Sequence, residues 1–313
     1  MKIAITGATG FVGSRLVERS LAEGHQVLAL VRNLDKLTQI FPPQKFPKVE
    51  GMAYTPKESG SWQQAISGYD AVVNLAGEPL FGERWTPVRK QEILASRQLG
   101  TQKIVEAIAQ AQVKPAVLVN ASAVGYYGTS ETAVFDETSP GGNDFLAQVC
   151  QAWEAEAQRV KDTGARLVIL RLGIVLGLGG AIAQMITPFK LFAGGPIGTG
   201  RQWFSWIHRE DVVNLMLYAL THPEVEGVLN ATAPSPVRMA EFSQALAETI
   251  NRPSWLPVPG FALELLLGDA AKVILEGQKV LPTRTQAYGF EYQYPLLKAA
   301  LGQILKWKQA VQA

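Results

Sequence analysis

Cysteine occurs once, at Cys150. A single thiol excludes an intrachain disulfide and a metal site built on several thiolates, and it suits a reducing compartment. Histidine occurs only three times. No metal-ligand spacing is visible, so no metal is expected. Charge of one sign is also lacking: 29 Lys and Arg face 27 Asp and Glu, for a net charge of +2. The basic residues are scattered, which leaves no electrostatic case for nucleic acid or an anionic membrane as partner. No stretch of ~18 uncharged apolar residues occurs, so no transmembrane segment is expected. The opening apolar run is too short for a secretory core and glycines follow it at once. The apolar tract 261–275 is interrupted by Glu264, Asp269 and Lys272. That pattern predicts an amphipathic helix packed on a core.

What is present is a chain of 313 residues, 47% hydrophobic and 18% charged. It is long enough for roughly two domain-sized units with a real core. Up to about residue 175, β-rich runs alternate with helical-period segments. Residues 2–6, 26–31, 71–75, 116–120 and 166–170 read as strands, and 11–22, 87–111 and 144–161 as helices. Continuous apolar strands alternating with helices predict an α/β doubly wound parallel sheet of Rossmann type. Residues 203–208 then read as a strand leading into a helix near Asp211, and 228–230 as a last sheet strand. Glycines at 177, 179, 180, 194 and 195, and prolines at 234, 236, 253, 257 and 259, break the rhythm elsewhere. The expected division is a nucleotide-binding domain, 1–175 plus 204–232, and a smaller, mostly helical lobe, 176–203 plus 233–313, over the sheet's carboxyl edge.

The strongest motif is Thr6-Gly7-Ala8-Thr9-Gly10-Phe11-Val12-Gly13. It follows a predicted strand and opens a predicted helix, the context that separates a dinucleotide fingerprint from a chance glycine cluster. Gly7 permits a tight turn, Gly10 lets backbone approach a pyrophosphate, and Gly13 allows close packing of helix on strand. The helix N-terminus, with Phe11 and Val12 beside it, then offers unpaired N–H groups to the phosphates.

Glycines at 7, 10 and 13 resemble the pattern of extended short-chain dehydrogenases/reductases. Further strings carry the likeness: Asn74-Leu75-Ala76-Gly77, residues 122–128, residues 171–177, and His208-Arg209-Glu210-Asp211-Val212. More narrowly, the chain is similar to an atypical epimerase-like subfamily associated with division in bacteria and plastids. The strings that carry this are Asn74-Leu75-Ala76-Gly77-Glu78, residues 144–146 with Trp153-Glu154, 194–198, 206–208 and 276–282. The resemblance implies that Leu75, Ala76 and Gly77 line the adenine-ribose side of a dinucleotide and that Val175 flanks the nicotinamide. It also implies a cytoplasmic location, or a stromal one for a plastid protein.

An NAD-selective site wants a carboxylate at the end of the second strand, ~20 residues past the glycines. Here that strand ends in Arg32, with no acid before Asp35. A guanidinium there can take a 2′-phosphate bidentately, so NADP(H) is the expected cofactor; a solvated strand end is the alternative. Glu92 and Arg97, on the helix after the Gly77 turn, are candidates to reach the pocket or the phosphates, against the alternative of ordinary solvated charges.

The resemblance also shows what is missing. In that family a Tyr moves the proton as hydride moves, a Lys four residues on lowers the Tyr pKa, and a Ser or Thr holds the substrate oxygen. Ser122 fits the last role. Helix 144–161 has no Tyr followed by Lys at four residues: Phe145 or Leu146 falls near the Tyr slot, and Val149 or Cys150 near the Lys slot. Tyr294 and Lys298 have that spacing but lie beyond the sheet. Tyr126 and Tyr127 are the substitute proton donors, or else shape a substrate wall. Glu154 is a candidate base or a charge on a helix face, and His208 a candidate acid–base group or a structural residue. Cys150 reads as a buried small hydrophobe. Phe81, Trp85, Trp203 and Trp206 suggest an apolar or flat substrate pocket, with core packing as the alternative.

Two functions remain open. One is an NADP(H)-dependent oxidoreductase or epimerase acting on a small carbonyl or sugar-nucleotide-type substrate. The other is a catalytically weak NADPH-binding regulatory protein linked to cell or plastid division. A homodimer through helices 87–111 and 144–161 and a monomer are equally compatible with the sequence.

Overall fold

The computed structural model describes the backbone of residues 1–311 and the side chains of residues 1–305. Seven strands form one wholly parallel sheet: β1 (Lys2–Thr6), β2 (Gln26–Val31), β3 (Val49–Ala53), β4 (Ala71–Asn74), β5 (Val117–Ala123), β6 (Arg166–Leu172) and β7 (Gly227–Ala231). Their spatial order is β7-β6-β5-β4-β1-β2-β3. Chain order reverses between β1 and β4, which opens a crevice at their carboxyl ends where open α/β sheets bind ligands.

Runs such as Val117-Leu118-Val119 and Leu167-Val168-Ile169-Leu170 are buried on both faces, as a covered parallel sheet requires. One face packs under α1 (Gly13–Ala22) and α6 (Arg209–Thr221), through Leu16, Val17, Val212 and Met216. The other packs under α3 (Pro87–Gln110), through Ile104 and Ile108. Here α4 (Phe145–Gln158) lies against α3 and buries Val149, Cys150 and Trp153. A third apolar cluster, around Phe242, Trp206 and Leu301, forms the lobe beyond the sheet. Among the described residues no helix is long and apolar enough to cross a membrane.

Several expectations are corrected. The first helix starts at Gly13, not at residue 11, because residues 11 and 12 complete the turn before it. Residues 203–208 form two short strands, Trp203–Phe204 and Trp206–His208, which pair with different partners. A helix at Leu34–Ile40 and the edge strand β3 are additional. Tract 261–275 is not one helix on a core. It is broken at Gly268 (φ 61°) into Gly260–Leu267, a 3-10 turn and Lys272–Leu275. The first of these helices buries none of its residues, and Phe261, Leu265 and Leu266 are about three-quarters exposed (73%, 77% and 69%).

Candidate active site

The crevice is a cleft of about 810 Å³ running from the glycine turn to the lobe. At one end Gly7 has φ 68°, and a Cβ there would lie 2.9 Å from the Leu75 carbonyl oxygen. The Gly10 N–H donates to the Gly7 oxygen at 2.9 Å. A Cβ at Gly13 would come within 2.1 Å of that same oxygen, so helix and turn touch backbone to backbone. Val12 caps α1 without any side-chain hydrogen bond, and no acid occupies its first turn. The helix end therefore presents free N–H groups and positive potential to the cleft. Gly7, Gly10, Phe11, Val12 and Gly13 line it; Thr9 belongs to the turn but not to the wall.

A buried polar lattice fixes the neighbouring strand ends. Thr6 Oγ1 donates to Asn74 Oδ1 at 2.7 Å and accepts from the backbone of Leu75 and Ala76. Asn74 Nδ2 donates to Thr101 and to Asn120 Oδ1. This holds Leu75 and Gly77 at the cleft wall, with Ala76 packed behind.

Arg97 enters the cleft from α3. Its guanidinium donates to the carbonyls of Ile93 and Glu78 at 3.1 and 3.0 Å and lies 5.3 Å from the Trp153 ring centre. Among the described residues no carboxylate pairs with it within 4 Å. Burial pushes its pKa down. Arg97 is half-buried, and a partly desolvated cation without an anion is costly, so Arg97 is poised for an electron-rich ligand. The Trp153 indole N–H, buried in the same wall, has no hydrogen-bond partner among the described residues.

Arg32 stands outside this cleft. It lines a second, shallower depression with Tyr54, Thr55 and Trp62. Its side chain is 67% exposed and its Nη1 lies 2.6 Å from Glu78 Oε1. Burial works against the Glu78 charge, but Arg32 and Arg89 outweigh it and hold that carboxyl below its usual range. Glu92 is held by Lys57 at 2.9 and 3.0 Å and does not line the large cleft.

At the opposite end, Val175 lies in a short strand, Ile174–Leu176, and lines the cleft beside Gly173. Ser122, at the carboxyl end of β5, faces it too, and its hydroxyl donates to Glu154 Oε1 at 2.7 Å. Glu154 is not a solvated helix charge. It is buried and bound bidentately by Arg171 of β6, both contacts at 2.8 Å. Burial opposes the Arg171 charge, but Glu154 and Tyr127 outweigh it and raise the pKa. Arg171 Nη1 also donates to the Tyr127 hydroxyl at 2.9 Å, which donates in turn to Asn230 Oδ1 at 2.7 Å.

That network changes the reading of the tyrosines. Tyr127 touches the cleft with its body, but its hydroxyl is committed elsewhere, and burial pushes its pKa up to about 12. Tyr126 is not part of the wall, and its ring lies 3.3 Å from the Arg171 guanidinium carbon. Neither offers a free proton at the cleft. His208 is also excluded: it is buried at the start of α6, and its Nδ1 accepts from the Glu210 backbone. Cys150 lines the cleft as a buried thiol, its pKa pushed up to about 12 by burial. Phe81, Trp85 and Trp203 reach the wall, whereas Trp206 is a core residue with no exposed surface. Sequence reasoning passed over Arg171, Asn74, Asn120 and Trp153, and also Lys90, Lys272 and Asp269 on the lobe side. One signal was available: Arg171 is a charge inside an otherwise apolar strand.

Comparison with known proteins agrees with this architecture. A model of the NAD dependent epimerase/dehydratase family matches residues 3–231, and a domain of unknown function, DUF1731, matches residues 258–304. The chain is 51% identical to the chloroplastic epimerase family protein SDR39U1 homolog of Arabidopsis thaliana, over 98% of this chain and 87% of that protein. It is 40% identical to the epimerase family protein YfhF of Bacillus subtilis, over 99% of this chain and 100% of that protein. It superposes with a TM-score of 0.86 and 37% identity on the crystal structure of human epimerase family protein SDR39U1 (isoform 2) with NADPH, covering 98% of this chain and 99% of that one.

Proposed function

Because the chain belongs to the NAD-dependent epimerase/dehydratase family, we propose that it is an NADP(H)-dependent oxidoreductase or epimerase-like enzyme acting on a small carbonyl-type substrate. The observation that carries this is a cradle shaped for a dinucleotide. Backbone at Gly7 and Gly13 leaves no room for a side chain and at Gly10 leaves little, and the free end of α1 opens beside it. The human relative with NADPH supports the choice of cofactor.

In this reading the α1 N–H groups hold the pyrophosphate, and Leu75, Ala76 and Gly77 line the adenosine side. Arg32 turns its exposed guanidinium to the 2′-phosphate, and Arg97 takes a ligand oxygen near Gly77. Glu92 and Lys57 flank the adenosine end rather than the phosphates. The bound cofactor supplies a hydride donor or acceptor beside Val175. Ser122, whose proton is committed to Glu154, presents lone pairs to the cleft and positions a substrate hydroxyl. The lobe closes the substrate end through Trp203, Asp269, Lys272, Val273 and Glu276.

Arg32→Asp tests the cofactor assignment. Titration by isothermal calorimetry is expected to show NADPH affinity falling at least tenfold, with NADH affinity unchanged or improved. Unaltered NADPH binding overturns the role of Arg32. A second reading, a catalytically weak NADPH-binding regulator, is favoured by the committed hydroxyl of Tyr127 and by the position of Tyr126 outside the cleft wall. It requires tight NADPH binding with no NADPH oxidation across a broad carbonyl panel.

A further inference from the structure

The substrate half of the cleft carries a combination of features that narrows the substrate class. Its wall is aromatic. Trp85 and Phe145 meet edge to face at 5.3 Å, and Phe81 and Trp203 stand in the same wall. The polar handles of both tryptophans are already used: Trp85 Nε1 donates to the Leu80 carbonyl at 2.8 Å, and Trp203 Nε1 to the Glu131 carbonyl at 3.0 Å. Arg238 and Lys279 lie over the Trp203 ring, at 3.7 and 4.7 Å from its centre, and hold it in place. With Trp203 partnered by these two cations, it is the ring surface of Trp85, Phe145 and Phe81, not hydrogen-bonding capacity, that is left for a ligand.

The charge of this half does not suit a pyrophosphate. Lys90 is bound to Asp269 at 2.5 Å. Lys272 shares the wall with Asp269, Glu276 and Asp144. Lys272 has no ion pair of its own among the described residues, but two ammonium groups here face three carboxylates, so this wall is net negative and disfavours a doubly charged pyrophosphate.

The remaining constraint is the proton. Reduction of a saturated ketone leaves an alkoxide whose conjugate acid is about as weak as water, pKa ~15.7. It needs an acid at the moment of hydride transfer. The hydroxyls and thiol near Val175 do not supply one: Ser122 donates to Glu154, Tyr127 donates to Asn230, and Cys150 is a buried thiol. A carbonyl conjugated to a ring is different. Its reduced oxygen is phenol-like, with a conjugate acid near pKa ~10, so the anion can leave the step unprotonated and take its proton from water.

On the reading given under Proposed function, we propose that the substrate is a flat, conjugated carbonyl of the quinone class, held against the aromatic wall of Trp85, Phe81 and Phe145, and not a nucleotide sugar. Hydride passes from NADPH to the quinone, giving NADP+ and the hydroquinone anion. One proton from solvent completes the hydroquinone. Two electrons and two hydrogens are thereby transferred, with no further co-reactant.

The test separates binding from turnover. NADPH binding is measured first by calorimetry, and its absence refutes the cofactor reading, not this proposal alone. With NADPH bound, oxidation is followed with 1,4-naphthoquinone, with cyclohexanone, and with UDP-glucose as a binding competitor. The expected result is naphthoquinone turnover with kcat/KM at least 100-fold above cyclohexanone, flat from pH 6 to 8.5, and no inhibition by UDP-glucose. In the NADP+ complex, where no turnover occurs, naphthoquinone should quench tryptophan fluorescence saturably. Trp85→Ala should weaken that binding about tenfold while NADPH affinity is retained, and Trp85→Phe should restore most of it. Equal or better turnover of cyclohexanone, competition by UDP-glucose, or NADPH binding without any saturable naphthoquinone binding overturns the proposal.

Discussion

At the scale of single residues, the buried pair of Glu154 and Arg171 organises the active-site end of the sheet. One carboxylate accepts from Ser122 and from two guanidinium nitrogens, and the third nitrogen reaches Tyr127. Removing one partner of such a pair strands the other charge in a low-dielectric interior, at a cost of about 3–5 kcal/mol. Glu154→Ala is therefore expected to lower stability by about that amount in urea unfolding. The double replacement Glu154→Met with Arg171→Met should recover most of the loss. If the single variant stays within ~1 kcal/mol of the parent, the pair is not carrying the charge balance described. Ser122 was legible through the family resemblance of residues 122–128, against the alternative of a small residue ending a strand. Its partners were not, since Glu154 and Arg171 lie 17 residues apart and meet only once α4 is laid against the sheet. The commitment of the Tyr127 hydroxyl was hidden for the same reason. A phenol's role depends on where its hydroxyl ends, and that is set by Asn230, 103 residues further on.

At the scale of elements, sequence periodicity sufficed where burial is complete and failed where it is not. Strands β1 and β2 fall where alternation with helices places them, because both faces are covered and the residues after the exposed Lys2 and Gln26 are buried and, Thr6 aside, apolar. The edge strand β3 was missed: Glu50, Gly51 and Ala53 are exposed, so no apolar run marks it. The helix of residues 260–267 was assigned a core it does not have, since composition cannot say whether a partner face exists. Helix α6 depends on an unusual cap. The Glu210 N–H donates to His208 Nδ1, so the ring proton sits on Nε2 and is donated to Gln303 Oε1 at 3.0 Å. Burial lowers the His208 pKa from 6.5 to about 4. The native state thus binds fewer protons than the unfolded state between those values. This contribution to stability is complete above pH 6.5 and is lost as pH falls toward 4. Chemical denaturation at pH 7 and pH 5 should show wild type losing about 2 kcal/mol more than His208→Asn, which keeps a capping acceptor and does not titrate. Equal losses would show that His208 titrates freely.

At the scale of the whole molecule, one sheet supports two unlike surfaces along a single crevice. The glycine turn and α1 offer backbone N–H groups at one end, and Phe81, Trp85, Phe145 and Trp203 offer aromatic rings at the other. The first surface was readable because a tight turn demands glycine at fixed offsets. The second was readable only as scattered tryptophans, because Trp203 and Trp85 belong to segments that meet through the tertiary fold. Such an arrangement couples cofactor to stability. A ligand that binds only the folded chain stabilises it by RT ln(1 + [L]/Kd), about 2.7 kcal/mol at a hundredfold excess over Kd. For a chain of 313 residues, that corresponds to a rise in Tm of roughly 5 °C. NADPH at that excess is expected to produce this rise in differential scanning fluorimetry. NADH at the same concentration should produce much less, because it brings no phosphate for Arg32. Gly13→Ala should abolish the NADPH shift, since the added methyl drives α1 off the Gly7 carbonyl and spoils the phosphate cradle. A Gly13→Ala protein that still shows the full shift would mean that dinucleotide binding does not depend on the α1 end at all.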